Sequence, residues 1–212
     1  MNFKRENFRL YAVTDHSWSN AENFENHIEQ ALKSGVTFLQ LREKNISDDE
    51  YIEIASRIKK LTDKYNIAFV INDNINVALA VNADGVHLGQ NDTDIKTARK
   101  ILGSNKIIGA SARTIQQAVN AVENGADYLG TGAVFGTSTK KDAKNITIEQ
   151  LSQVCHAVNV PVVAIGGVNE KNIPLLKNSG ISGVAVVSAI FAQQDIAAAT
   201  ENLRSLIDNI IV

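Results

Sequence analysis

Short, almost wholly apolar runs alternate with amphipathic stretches along the entire chain. The runs are Leu10–Thr14, Thr37–Arg42, Ala68–Ile71, Gly85–Leu88, Lys106–Ala110, Tyr128–Gly132, Val162–Ile165 and Gly183–Val187. They are rich in β-branched and aromatic residues, and segments such as FLQL, AFVI, VVAI and GVAVV carry almost no polar position. That pattern predicts parallel strands covered on both faces, not strands with one wet face. Each run is followed by apolar residues at helical spacing. The helices expected are Ala21–Lys33, one starting at Ser47, Asn76–Val81, Asp94–Leu102, Thr114–Asn124, Ile148–Val158, Asn169–Asn178 and Asp195–Ile210. The second has a capping box, Ser47 with Glu50, and an apolar face of Tyr51, Ile54, Ala55, Ile58 and Leu61. Gly35 and Gly125 follow helices as C-terminal caps do. Pro174 is expected to kink the seventh helix.

Eight strand–helix pairs in 212 residues predict a single-domain (β/α)8 TIM barrel with short loops, spanning residues 1–212. A doubly wound open sheet is the competitor, but it would show one dominant glycine-rich turn and a smaller or odd strand number. The segments NADGVHLG, NGADYLG and SGISGVAVVS repeat a tight turn before the fourth, sixth and eighth strands. No linker, low-complexity tract or charge block interrupts the chain.

Composition narrows the function classes. The chain is 44% apolar and 21% charged, ordinary for a soluble globular protein. Its formal net charge of -2 supplies no global field to recruit nucleic acid, so any anion site is local. The one cysteine, Cys155, excludes an internal disulfide and a cysteine zinc cluster; its apolar helical setting predicts a buried structural thiol. No apolar run is long enough to span a bilayer, and no signal-type stretch precedes the first strand. No membrane partner and a cytoplasmic location are therefore expected. Oligomeric state does not follow from the sequence.

In a barrel, the carboxyl ends of the strands meet at one mouth, where chemistry gathers. The strand ends here supply three sets of residues. The first is a carboxylate pair, Asp73 and Asp92. Two carboxylates with open water positions suit Mg2+, a hard cation that favours phosphate co-ligands. The structural alternative is a helix N-cap for each, although Asp94 is better placed to cap the fourth helix. The second set is cationic: Arg42, Lys44 and Lys140, with hydroxyls at Thr137, Ser138 and Thr139 and at Ser111. Fixed positive charge there would balance a diphosphate and stabilise it as a leaving group. The alternatives are a surface ion cluster, with Glu43 neutralising Arg42, and a solvated basic loop. The third set is Gly166-Gly167 after the seventh strand with Val187-Ser188 after the eighth, where barrels bind a monophosphate through backbone N–H groups. His87, inside the fourth strand, reads as a structural hydrogen-bonded residue; His16, His27 and His156 look incidental. Trp18 is either a ring-stacking or a loop-anchoring residue.

The segments LYAVTD, QLREK, IND, ADGVHLGQND, IIGASA, GADYLGTGAVFGTSTK, VVAIGGV and GVAVVSAI resemble the thiamine phosphate synthase family, in order and over nearly the whole chain. The resemblance implies a barrel transferase that joins hydroxymethylpyrimidine diphosphate to hydroxyethylthiazole phosphate, giving thiamine phosphate and diphosphate. It implies two small-molecule substrates and Mg2+ as cofactor. Gln40, Leu41, Arg42, Glu43, Lys44 and Asn72 would hold the pyrimidine diphosphate, with Ser111 and Lys140 completing that pocket. Thr137, Ser138, Thr139, Gly167, Val187 and Ser188 would hold the thiazole phosphate, and Asp73 and Asp92 the metal. Arg42, Lys44, Ser111 and Lys140 form the implied catalytic set. The family's reaction is dissociative: diphosphate leaves first, and the thiazole nitrogen captures a pyrimidine-stabilised cation.

Four positions depart from the family pattern. Asn74 stands where an arginine is usual, Gly136 and Ser138 replace prolines, and Arg113 replaces a histidine. Loss of the prolines predicts a looser loop before ligand binds. The alternatives are a thiazole tautomerase on the same barrel and a non-catalytic phosphate-metabolite binder. The tautomerase family has a histidine near the position of Ala133 and degraded diphosphate residues, whereas QLREK and TSTK are intact here.

Overall fold

The computed structural model describes residues 4–18, 23–136 and 145–211. Eight parallel strands close into one barrel in chain order. They are β1 (Leu10–Val13), β2 (Phe38–Leu41), β3 (Ala68–Asn72), β4 (Gly85–Leu88), β5 (Ile107–Ser111), β6 (Tyr128–Gly132), β7 (Val162–Ile165) and β8 (Gly183–Val186). Closure comes from β1, which pairs with β2 on one side and β8 on the other. Outside lie α1 (Phe24–Lys33), α2 (Asp48–Tyr65), α3 (Ile75–Ala80), α4 (Ile95–Leu102), α5 (Ile115–Glu123), α6 (Ile148–Ala157), α7 (Ser188–Phe191) and α8 (Ile196–Ile210). Ser47, Asp94, Thr114, Thr147 and Asp195 cap their helices through side-chain oxygens, as the spacing predicts for Ser47 and Asp94.

Two separate apolar clusters explain why the strands are apolar at every position. Tyr11, Val13, Phe38, Val70, Tyr128 and Val163 point into the barrel. Their neighbours Leu10, Ala12, Leu39, Phe69 and Leu129 point outward under the helices. Phe8, from a 3-10 turn at Arg5–Phe8, closes the amino end. Its ring lies 4.8 Å from both Phe38 and Tyr128.

The repeated turn has a physical basis in its first two copies. The Asp84 and Asp127 carboxylates accept the backbone N–H groups of Phe69 (2.9 Å) and Ile108 (2.7 Å), pinning each turn to the preceding strand. The third copy has Ser182, whose buried hydroxyl has no hydrogen-bond partner. A Cβ on Gly85 would lie 1.9 Å from the Ile107 carbonyl oxygen, so that strand start needs glycine.

One expected helix is replaced. Instead of Asn169–Asn178, a single 3-10 turn covers Ile173–Leu176. Asn172 Oδ1 accepts the Asn169 N–H at 2.8 Å, Asn169 Oδ1 accepts the Lys171 N–H, and Pro174 has no N–H to give. The side chains satisfy first-turn donors, and Lys177 leaves the helical backbone (ψ 136°), so the turn stops after Leu176. Part of the first expected helix, Ala21 and Glu22, lies outside the described residues. Among the described residues, no helix is long and apolar enough to cross a membrane. Cys155 is half-buried, and burial pushes its thiol up to about 11.

Candidate active site

The carboxyl ends of the strands open on a cavity of about 620 Å³. Gln40, Arg42, Lys44, Asn72, Asp73, Asp92, Ser111, Gly167, Val187 and Ser188 all line it. The alternating strand explains which part of the Gln40–Lys44 run reaches it. Gln40, Arg42 and Lys44 face the cavity, while the Leu41 side chain is fully buried in the helix-facing cluster. Glu43 is also turned away, and its carboxylate meets His16 Nδ1 at 2.6 Å. The His16 ring in turn stacks on Phe24 at 4.0 Å, so His16 is not an idle residue. Burial drives the Glu43 carboxyl above its ordinary range against the opposing pull of His16. Arg42 pairs with Asp15 at 3.5 Å, not with Glu43 as the surface-cluster alternative has it. Thr137, Ser138, Thr139 and Lys140 lie outside the described residues, so Arg42 and Lys44 are the described members of the cationic set.

Asp73 and Asp92 come together from consecutive strand ends. Neither is a helix cap: Asn74 caps α3 and Asp94 caps α4. Asp73 Oδ2 accepts from Lys44 Nζ and from Asn72 Nδ2, each at 2.6 Å. Asp92 Oδ2 accepts the Gly89 N–H at 2.7 Å. Burial and a hydrogen bond to Asp73 push the Asp92 carboxyl above its ordinary range. Burial works on Asp73 in the same sense, but hydrogen bonds from Asp92 and Lys44 outweigh it and hold that carboxyl low. The backbone of Asp73 is left-handed (φ 61°), a strained state for a non-glycine residue at a functional rim.

Two carboxylates in contact repel unless a proton or a cation lies between them, so the pair fits a divalent metal. Among the described residues no group of three or more His, Cys, Asp or Glu side chains could hold a metal ion. A cation at this pair would therefore take its other ligands from water and phosphate, as Mg2+ does.

On the opposite wall, Gly166 and Gly167 have left-handed backbones (φ 94° and 69°). A Cβ on Gly167 would lie 2.0 Å from the Gly136 carbonyl oxygen, and one on Gly166 would lie 2.5 Å from the Ala133 Cβ. Glycine is required there by the loop after β6 as well as by the backbone conformation. Ser188 opens α7 at the same wall. Trp18 is 41% exposed and does not line the cavity. Of the departures from the family pattern, Asn74 serves as the α3 cap and also donates to Asp48 at 2.8 Å, while Arg113 lines the cavity.

Below the rim, five polar side chains form a column inside the barrel. Gln40 Nε2 donates to the Tyr11 hydroxyl, which meets the Tyr128 hydroxyl at 2.7 Å. Tyr128 meets His87 Nδ1 at 3.0 Å, and His87 Nε2 meets Ser111 Oγ at 3.0 Å. His87 is thus hydrogen-bonded, as its strand position suggests, and it also lines the cavity. Neither Tyr11 nor Tyr128 stands out in the sequence as a functional residue. The signal available was their inward register alongside Gln40 and His87, where an apolar residue would ordinarily fill the barrel.

Known proteins of one family resemble this chain over nearly its whole length. A family model described as thiamine monophosphate synthase matches residues 10–190. A thiamine-phosphate synthase of Clostridium tetani is 48% identical over 203 residues, covering 96% of this chain and 97% of that protein. One of Ruminiclostridium cellulolyticum is 48% identical over 95% of this chain and 96% of its own length. A solved thiamine phosphate pyrophosphorylase from Pyrococcus furiosus superposes with a TM-score of 0.91 at 38% identity, over 98% of this chain and 99% of that one.

Proposed function

The chain belongs to the thiamine monophosphate synthase family, and we propose that its cavity performs the synthase reaction with the residues named above. It is a transferase that joins hydroxymethylpyrimidine diphosphate to hydroxyethylthiazole phosphate, releasing diphosphate. The observation that carries the site assignment is that Arg42, Lys44, Asp73, Asp92 and Ser111, from four different strand ends, face one cavity.

The pyrimidine diphosphate lies across β2 and β3. Gln40 and Asn72 orient it; Arg42, Lys44 and Ser111 hold the diphosphate oxygens. The C–O bond to the diphosphate breaks first, and its electron pair leaves with the diphosphate. The thiazole nitrogen then forms the new C–N bond to the cationic carbon. Neither step demands a general base, so fixed charge and alignment carry the catalysis. Arg42 offers a planar fork to the leaving oxygens, and Lys44 a compact charge. Asp73 and Asp92 would hold Mg2+, which supplies Lewis-acid neutralisation of the departing diphosphate. Gly167, Val187 and Ser188 receive the phosphate of the thiazole, placing the nucleophile opposite the diphosphate. The tautomerase alternative is not favoured, because the similar proteins are synthases over their full length.

The purified chain, given both substrates and Mg2+, should release thiamine phosphate and diphosphate in equal amounts. Product formation that persists without the pyrimidine diphosphate, or isomerisation of a thiazole substrate alone, would overturn the assignment.

A further inference from the structure

We propose that Tyr11, Tyr128 and His87 are positioning residues forming a one-way hydrogen-bond column, which turns the Ser111 hydroxyl hydrogen into the cavity and ties it to the orientation of the Gln40 amide. The inference rests on the reading above that Ser111 meets an anionic oxygen of the substrate.

Counting hydrogens along the column sets its direction. Gln40 Nε2 has no lone pair to offer, so the Tyr11 oxygen accepts from it. The hydrogen of Tyr11 is then directed to the Tyr128 oxygen, 2.7 Å away. Tyr128 in turn donates to His87 Nδ1 at 3.0 Å. The ring nitrogen that accepts is unprotonated, so the neutral ring carries its hydrogen on Nε2. That hydrogen goes to Ser111 Oγ at 3.0 Å, and Ser111 keeps its own hydrogen for the cavity.

Both tyrosines are buried, at 1% and 0% exposure, so bulk water is not at hand to break the order. Reversing any one bond strands a hydrogen or sets two donors face to face, unless the Gln40 amide turns over and reverses every bond at once. In the reversed column Ser111 gives its hydrogen to His87 and presents only lone pairs to an anion. One direction therefore suits a diphosphate and the other does not.

The barrel makes room for this column at the expense of side chains. A Cβ on Gly109 of β5 would lie 2.1 Å from the Tyr128 ring, and one on Gly130 of β6 would lie 3.1 Å from the His87 ring. Glycine at these two positions gives the rings the space that their hydrogen bonds need.

The test begins with the substrate-free protein and requires no turnover. Long-range 1H–15N spectra of the 15N-histidine-labelled chain should show His87, assigned by its loss in His87→Gln, as the neutral Nε2–H tautomer. In Tyr128→Phe the ring should lose that preference. A wild-type ring protonated at Nδ1, alone or together with Nε2, overturns the column. Turnover supplies a second readout. Tyr128→Phe should lower kcat/KM by about tenfold, and Ser111→Ala should cost far less in that background than in wild type. Equal losses in both backgrounds would show that Ser111 acts without the column and would also overturn it. Tyr11→Phe offers the same comparison should Tyr128→Phe fail to fold. If the wild-type chain made no thiamine phosphate at all, the synthase reading would fall while the tautomer measurement still judged the column.

Discussion

Asp92 meets two demands with one side chain. Its Oδ2 holds the Gly89 N–H at 2.7 Å, and its charge joins that of Asp73 at the proposed metal pair. Asp92→Asn separates the two, because an amide oxygen still accepts the N–H but no longer brings charge. Mg2+-dependent turnover should fall on the order of a hundredfold or more, as when one fixed electrostatic group is lost, with little change in Tm. Turnover that kept its full rate and metal dependence in this variant would remove Asp92 from the metal pair. Ser188 supplies the matching test on the other wall. Ser188→Ala removes one hydrogen bond to a charged oxygen, so the KM for the thiazole phosphate should rise ~10-fold while that for the pyrimidine diphosphate stays nearly constant. Equal rises for both substrates would mean that the two phosphate positions are misassigned.

Elements are held to one another by polar contacts that the apolar pattern does not show. Between α1 and α2, the Glu29 carboxylate accepts from Lys64 Nζ at 2.8 Å and from the Tyr65 hydroxyl at 2.6 Å, and Lys33 stands 3.5 Å away. These partners, Lys64 first, lower the Glu29 carboxyl from 4.5 to about 2. A carboxyl lowered by folding stabilises the fold above its unfolded value and loses that contribution as pH falls through its folded value. Glu29→Gln should therefore melt below the parent at pH 7, and the gap should narrow as pH falls from 4.5 toward 2. A gap that did not depend on pH would assign the effect to packing instead of charge. Contacts of this kind mark the limit of what the sequence discloses. β4, β6 and β7 have the bounds that their apolar runs predict, because tight turns bracket them. The stretch after β7 misled, since Ile173 and Leu176 keep helical spacing while Pro174 has no N–H to give and Lys177 leaves the helical backbone. The cavity rim was legible because β2, β3, β4 and β5 end abruptly in polar residues. The column beneath it was not, because Tyr11 and Tyr128 read as two more large residues in apolar strands. Only the register, which brings inward positions of five strands together, shows that their hydroxyls meet.

The whole molecule divides its work along the barrel axis. The carboxyl ends of the strands carry the cavity, while the amino ends carry the Phe8 plug. At the amino end of the β1–β8 seam the fit turns on one glycine. Gly183 opens β8, where a Cβ would lie 1.7 Å from the Phe8 carbonyl oxygen, and the next residue, Val184, donates its N–H to the Arg9 carbonyl at 3.0 Å. The obstacle is backbone, which cannot swing aside as a side chain can, so Gly183→Ala must push the eighth strand off the first. Forced overpacking of this sort costs roughly 1–3 kcal/mol and sometimes more. At ~3 kcal/mol, the Tm of a domain this size should fall by roughly 6–12 °C. The substituted atom lies at the far end of the barrel from Arg42, Asp73 and Ser188, none of which touches β8's first residue through a hydrogen bond or ion pair. At a temperature where the variant is fully folded, its kcat and both KM values should match those of the parent. Thermal melts and steady-state kinetics on the same preparation test both halves. An unchanged Tm would show that the strand tolerates the added carbon, and a changed kcat would show that strain at the closure reaches the mouth, so that stability and catalysis share one lattice instead of occupying opposite ends.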